Sequence, residues 1–127
     1  MKTLNHAINW FEIPVSDMQR AKKFYESIFG FEMQLINLGE NFKMALFPTD
    51  AGTIGGALCE MPAFYHPGTQ GPILYLNGNP DLNVVLLKVE HAGGKLIKPK
   101  SQISPEHGYM ALFSDPEGNR IALHSDG

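Results

Sequence analysis

Met44-Ala-Leu-Phe47, "MALF", returns unchanged at Met110–Phe113, 66 residues later (44 to 110). Four shared residues are a weak signal alone, so their company decides. Gly52 and Gly118 follow the two copies at the same spacing. Upstream, "PVSDMQRAKKFYESIFG" starts a helix near Asp17 and "NPDLNVVLLKVEHAGG" starts one near Asp81. Gly30 and Gly94 close those segments, 64 residues apart like Asp17 and Asp81. Matching features in the same order predict a duplicated module.

Local chemistry sets the elements of each half. Ser16 with Gln19 forms a capping box for the first helix. Met18, Ala21, Phe24, Tyr25 and Ile28 recur at helical spacing, and Gly30 suits the C-terminal cap. In the second half Asn79 caps and Pro80 takes the first helical position. Leu82, Val85, Leu86 and Val89 form the buried stripe, ended by Gly93-Gly94. A strand precedes each helix, "INWFEI" and "PILYL", and further extended segments follow. The order is β-α-β-β-β twice. We therefore expect an α+β fold: two βαβββ modules forming a curved, cup-like mixed sheet with helices on its outer face. Module one spans about 5–61 and module two about 72–125. The Pro- and Gly-rich stretch at about 62–71 is the linker.

Composition narrows the classes. A chain of 127 residues suits one domain, and 43% hydrophobic residues suit a packed core. No apolar run approaches the roughly 20 residues of a membrane span, so no membrane partner is expected. The first residues lack the zones of a signal peptide, which makes a cytoplasmic location the expectation. Scattered lysines and arginines under a net charge of −3 give no basic stripe for nucleic acid. Cys59 is alone, which excludes an intrachain disulfide and a Cys-rich zinc site.

Strand alternation then assigns faces. Phe11, Ile13, Ile121 and Leu123 go under the helices, so Trp10, Glu12, Arg120, Ala122 and His124 face the cup. If Met110 and Leu112 sit beside Leu123 and Ile121, then Tyr109 lies opposite His124, Ala111 opposite Ala122 and Phe113 opposite Arg120. The same logic brings Lys43, Ala45 and Phe47 into the cup, and the repeat offset adds Leu74 and Leu76. The expected lining is Trp10, Phe47, Leu74, Leu76 and Phe113 with Glu12, Lys43, Tyr109, Arg120 and His124, an apolar cup with a few polar groups.

"IPVSDMQRAKKFYESIFGFE", "GPILYLNGNPDLNVVLLKVEHAGGKLI" and "FSDPEGNRIALHS" together resemble the vicinal oxygen chelate superfamily of glyoxalase I, bleomycin-resistance proteins and extradiol dioxygenases. The likeness covers nearly the whole chain and is nearest to a glyoxalase-related branch. The resemblance implies paired βαβββ modules, a homodimer, and, in metal-dependent members, a divalent ion held by the first and last strands of each module. Those points fall here on Trp10, Gly56, Leu74 and Ala122, none of which ligates a metal through its side chain. No metal or other cofactor is therefore expected at the usual place, and a divalent metal at an atypical site stays open.

The remaining polar residues have plain readings. Asp115 and Glu117 belong to a Pro-Gly turn. His66, in the linker, and His91, on a helix's polar side, are solvated. His107 is a loop residue over the cup, and His6 shares the parity of Trp10 near its rim. Glu12 and His124 are the catalytic candidates. A carboxylate in an apolar cup serves as a general base, and a histidine as an acid. Two functions follow. One is binding of a small organic molecule in the cup without the usual metal. The alternative is a glyoxalase-type lyase or isomerase using Glu12 and His124 for proton transfer, or an atypical metal site.

Overall fold

The first helix shows how the halves interlock. The structure, a computed structural model, describes residues 2–39 and 41–127. β1 (Trp10–Pro14), α1 (Met18–Phe29), β2 (Gln34–Asn37), β3 (Lys43–Leu46) and β4 (Gly55–Glu60) make the first module. β5 (Tyr75–Asn77), α2 (Asn83–Leu86), β6 (Lys95–Ser104), β7 (Gly108–Ser114) and β8 (Arg120–Ser125) make the second. The βαβββ order thus occurs twice in an α+β fold. The strands form two separate four-stranded sheets, β1-β4-β3-β2 and β5-β8-β7-β6, not one closed barrel. Both are mixed, because β1 runs parallel to β4 and β5 to β8 while the other pairs are antiparallel.

α1 buries the expected stripe of Met18, Ala21, Phe24, Tyr25 and Ile28, and Gly30 ends it in the left-handed conformation at φ 73°. Its cap differs from the expectation. Asp17, not Ser16, is the N-cap, and its side chain accepts from the Arg20 N–H at 3.1 Å. Ser16 instead gives its N–H to Glu117 Oε1 at 2.7 Å. α2 is shorter than expected. Only Asn83–Leu86 is regular helix, and the segment continues as turns closed by three-residue hydrogen bonds such as Lys88 N–H to Val85 O. Asn79 and Pro80 lie outside it, joined by a cis peptide bond. The adjacent Val84 and Val85 are β-branched, which weakens the helix. The stripe still packs inward: Leu82, Val85, Leu86 and Val89 are buried.

α1 touches both sheets. Its Tyr25 ring meets Phe47 with centroids 5.7 Å apart, and Phe24 meets Phe113 at 5.9 Å. A single core therefore joins Ile13 and Leu58 of the first sheet to Phe113 and Leu123 of the second. The helix-facing sides of the sheets look towards each other across α1. Their other sides face outward.

The Asp115–Asn119 turn fastens the modules. Glu117 Oε1 accepts the Ser16 and Asp17 N–H groups at 2.7 and 2.8 Å, and Oε2 accepts Arg20 Nε at 2.6 Å. A carboxylate from the second module thus completes the N-terminus of the first module's helix. Buried Asp115 accepts the Tyr25 hydroxyl at 2.7 Å, and Asn119 Nδ2 donates to Pro14 O at 2.7 Å. The turn reading of Asp115 and Glu117 is correct locally and misses this long-range role.

Strand register departs from the expectation by one residue. Ala111 lies opposite Leu123, Phe113 opposite Ile121, Met110 opposite His124 and Tyr109 opposite Ser125. Every residue of "MALF" is apolar, so alternation alone does not choose between its two faces. The core chooses by shape: Phe113 is fully buried against Phe24. The first half shifts alike. Lys43 pairs with Glu60 and Ala45 with buried Leu58, which puts both on the helix side with Phe47. Leu74, Leu76 and Tyr109 also pack on that side, against the core. Lys43, Phe47, Leu74, Leu76, Tyr109 and Phe113 are therefore not on the free faces.

Candidate functional site

The register fixes what each free face carries. On the first sheet these are Trp10 and Glu12 of β1, Ala57 and Cys59 of β4, and Met44 and Leu46 of β3. On the second they are Tyr75 and Asn77 of β5, Arg120, Ala122 and His124 of β8, and Met110 and Leu112 of β7. The four positions at which the resemblance places metal ligands shift accordingly. Trp10 and Ala122 stay on the free faces, but Gly56 lies beneath the Phe11 ring and Leu74 against the core. Their neighbours Ala57 and Tyr75 take the outward places. No histidine or carboxylate stands at any of the four, so these residues do not fit the family's metal. Among the described residues no three His, Cys, Asp or Glu side chains gather to hold an ion.

Glu12 is the centre of the first face. Trp10 Nε1 donates to Glu12 Oε2 at 3.2 Å, and the Tyr65 hydroxyl donates to Glu12 Oε1 at 2.6 Å. Tyr65 comes from the linker and stacks on Phe42, with centroids 6.1 Å apart and planes 22° apart. The bond to Glu12, with burial, holds the Tyr65 hydroxyl well above its usual pKa. Burial, with Glu12 nearby, pushes the Cys59 thiol up to about 12, so it stays protonated. Trp10 is 47% exposed, with one edge fixed by Glu12.

The second face is built differently. His124 Nε2 lies 2.6 Å from the His107 carbonyl, which makes that nitrogen the protonated one. His107 Nδ1 bonds the Ser104 hydroxyl at 2.8 Å and so braces the turn between β6 and β7. His107 is a loop residue, as expected, and braces the turn through both its ring and its backbone. Arg120 donates from Nη2 to Gly71 O at 3.0 Å, and its Nε is buried without a partner among the described residues. Tyr75 is 52% exposed beside Asn77.

The proposed lining is thus dispersed. Glu12 and Arg120 meet at a small cavity of about 220 Å³ under the linker, which also takes in His66. Phe47, Leu74 and Leu76 line a larger one of about 930 Å³ on the helix side. Glu12 and His124 lie on different sheets and share no hydrogen bond. His6 and His91 are exposed. Sequence reasoning missed Tyr65, Tyr75 and Asn77. The alternation of "LYLN" carried a signal for the last two, since both leucines are inward. Nothing local pointed to Tyr65.

No helix of the described residues is long and apolar enough to cross a membrane. Comparison with known proteins places the fold. A glyoxylase-like domain-containing protein of Didymella fabae is 30% identical over 124 residues, covering 94% of each chain. CFP32 of Mycobacterium bovis is 29% identical over 118 residues, 91% of this chain and 44% of that protein, so the chain spans about half its length. The structure of TnmS3, an antibiotic binding protein from Streptomyces sp. CB03234, superposes over all of both chains with TM-score 0.68 at 24% identity, which shows a shared fold. The model of the Glyoxalase/Bleomycin resistance protein/Dioxygenase superfamily matches residues 7–123, and with two βαβββ modules, two mixed sheets and these relatives the chain belongs to that superfamily.

Proposed function

We propose that the protein binds a small organic molecule on the free faces of its sheets, and that two copies together complete the binding cup. The observation that carries this is the Trp10–Glu12–Tyr65 cluster. A half-exposed tryptophan, fixed at its edge by a carboxylate that a tyrosine also holds, is an oriented aromatic platform for stacking a planar ring. Tyr75 offers a second exposed ring on the other sheet. Met44, Leu46, Met110 and Leu112 give the faces an adaptable apolar floor. Trp10 and Tyr75 stack a planar skeleton, Glu12 accepts a donor group, and Asn77, Arg120 and His124 supply further polar contacts. Likeness of fold to an antibiotic binding protein is in keeping with this reading.

The need for two copies rests on topology. Among the described residues β1 pairs with β4 alone and β5 with β8 alone, so each sheet has an open edge beside its exposed aromatic ring. One four-stranded sheet is a shallow surface. A second copy of the chain, set edge to edge, deepens it into a cup.

The test is thermal shift and calorimetry against a panel of planar aromatic antibiotics and metabolites. A true ligand raises the melting temperature by mass action, and Trp10→Ala weakens its binding about tenfold or more. If no panel member binds, or if Trp10→Ala binds as well as the natural chain, the reading fails. Mixing Trp10→Ala with Tyr75→Ala checks the second copy. Where each cup joins two chains, pairing by chance restores about a quarter of the sites. No recovery sinks the two-chain cup and leaves binding itself intact.

A further inference from the structure

We propose that the recess under the linker is the subsite for the ligand's polar end, and that this end carries an ammonium and a carboxylate side by side, as an aromatic α-amino acid does. The inference rests on the reading above, because the same ligand lays its ring on Trp10, and it adds the ligand's chemical class.

The recess is built within one chain. β1 supplies Glu12 and Ile13, β8 supplies Arg120 and Ile121, and the linker roofs them with His66 and Gln70. The roof is tied down. The Gly68 N–H donates to Asn119 Oδ1 at 3.1 Å, and Asn119 Nδ2 donates to Pro14 O at 2.7 Å. The chain's own linker thus covers this end of β1, and the open edge lies at its Trp10 end. The volume, about 220 Å³, falls short of the roughly 300–1,000 Å³ of whole-ligand sites. It suits one end of a molecule whose skeleton lies outside.

Two opposite charges face this recess unpaired. Glu12 and Arg120 both line it, yet neither forms an ion pair among the described residues. Glu12 Oε2 holds Trp10 Nε1 and Oε1 holds the Tyr65 hydroxyl, one bond each, where a carboxylate offers about four acceptor directions. The free directions take an ammonium. The Arg120 guanidinium is a planar fork of donors shaped for a carboxylate. Its Nη2 is spent on the neutral Gly71 carbonyl at 3.0 Å, and its Nε is buried with no partner among the described residues. A buried donor left unpaired costs free energy, and a carboxylate laid against the fork recovers it. The tie to Gly71 also holds the fork in place before a ligand arrives, so little side-chain entropy is lost on binding. The two charges come from different modules, so a ligand bearing only one of their partners leaves the other unmatched.

Calorimetry on the full chain with three probes of one skeleton tests this: naphthylalanine, naphthylethylamine, which lacks the carboxylate, and naphthylpropionate, which lacks the ammonium. The amino acid is expected to bind about tenfold tighter than either of the others, as one charge-assisted contact at a partly solvated site supplies. Arg120→Gln removes its advantage over the amine and leaves its advantage over the acid. Glu12→Gln does the reverse. A loss shared equally by all three probes marks a structural role and overturns the proposal. So does an amino acid that binds no tighter than the amine or the acid, and so does a failure of all three to bind. The ranking on the natural chain decides even where a variant does not fold. Planar ligands outside this class that lose affinity on Trp10→Ala leave the platform standing while the subsite falls, so the two readings are judged separately.

Discussion

Replacing Glu117 tests the interlock of the two modules. Its side chain is fully enclosed, and it accepts three hydrogen bonds: Ser16 N–H, Asp17 N–H and Arg20 Nε. Hydrogen bonds to a charged group are worth about 1.5–3 kcal/mol each, so the gross loss on Glu117→Ala is about 4–9 kcal/mol. Much of that returns as hydration. Arg20 is 50% exposed, and Ser16 and Asp17 are exposed residues whose amides meet water. The net cost is about 2–4 kcal/mol, which lowers the melting temperature of a chain this size by about 6–15 °C. Glu117→Gln removes the charge and keeps the shape, and so separates the two contributions. Burial alone would raise the Glu117 carboxyl, but the bonds from Arg20, Asp17 and Ser16 together hold its pKa below the usual carboxylate value. A depressed folded pKa stabilises above the unfolded pKa, about 4.3 for glutamate, and that stability is lost as pH falls through the folded pKa. Denaturant unfolding across pH 3–7, a range set by these carboxylate values, should show the natural chain ahead of Glu117→Gln near neutrality and level with it in acid. A pH-independent difference, or a Glu117→Ala cost below about 0.5 kcal/mol, would refute the claim that this carboxylate caps α1.

The remaining predictions concern single contacts. Tyr25→Phe removes one of the bonds that offset burial at Asp115, whose carboxyl is already raised by desolvation. It should cost about 1–3 kcal/mol near neutral pH, with the penalty shrinking in acid as Asp115 protonates, measured by urea unfolding. Gly108 sits at φ 76°, and a Cβ there would lie 2.4 Å from the Ser125 carbonyl oxygen. Gly108→Ala should cost about 2–4 kcal/mol and loosen the β6–β7 turn, read by hydrogen exchange at Tyr109 and Met110; a neutral result would contradict the close approach. Cys59, buried with its thiol pushed up to about 12, should resist maleimide labelling at pH 8 in the folded chain and react on unfolding. Fast labelling of folded protein would disprove the enclosure.

Much of the fold was legible because it rests on local signals repeated twice. The stripe of α1, Gly30 as its stop, and the βαβββ order all come from spacing over a few residues. What escaped was set at long range. The Glu117 cap joins residues about a hundred positions apart, and no periodicity marks it. Tyr65 reaches Glu12 from an irregular linker, where side-chain direction has no period to follow. Of the candidate site, Trp10, Glu12, Arg120 and His124 were placed on the correct faces, while Lys43, Phe47, Leu74, Leu76, Tyr109 and Phe113 were not.

The one-residue slip has a single physical source, and it bears on function. In "MALF" both the Met/Leu pair and the Ala/Phe pair are apolar, so either face can be buried. Putting Ala and Phe inward lets a small residue and a large ring interdigitate with Phe24, whereas Met and Leu inward would leave two phenylalanines in water. The consequence is that the free faces are floored by methionine and leucine, flexible side chains that conform to varied shapes. Rigid rings are kept at the edges, where Trp10 and Tyr75 stand. A pliant floor between fixed aromatic walls favours recognition of planar skeletons over one exact outline, which is why the ligand panel should vary shape first and polar substituents second.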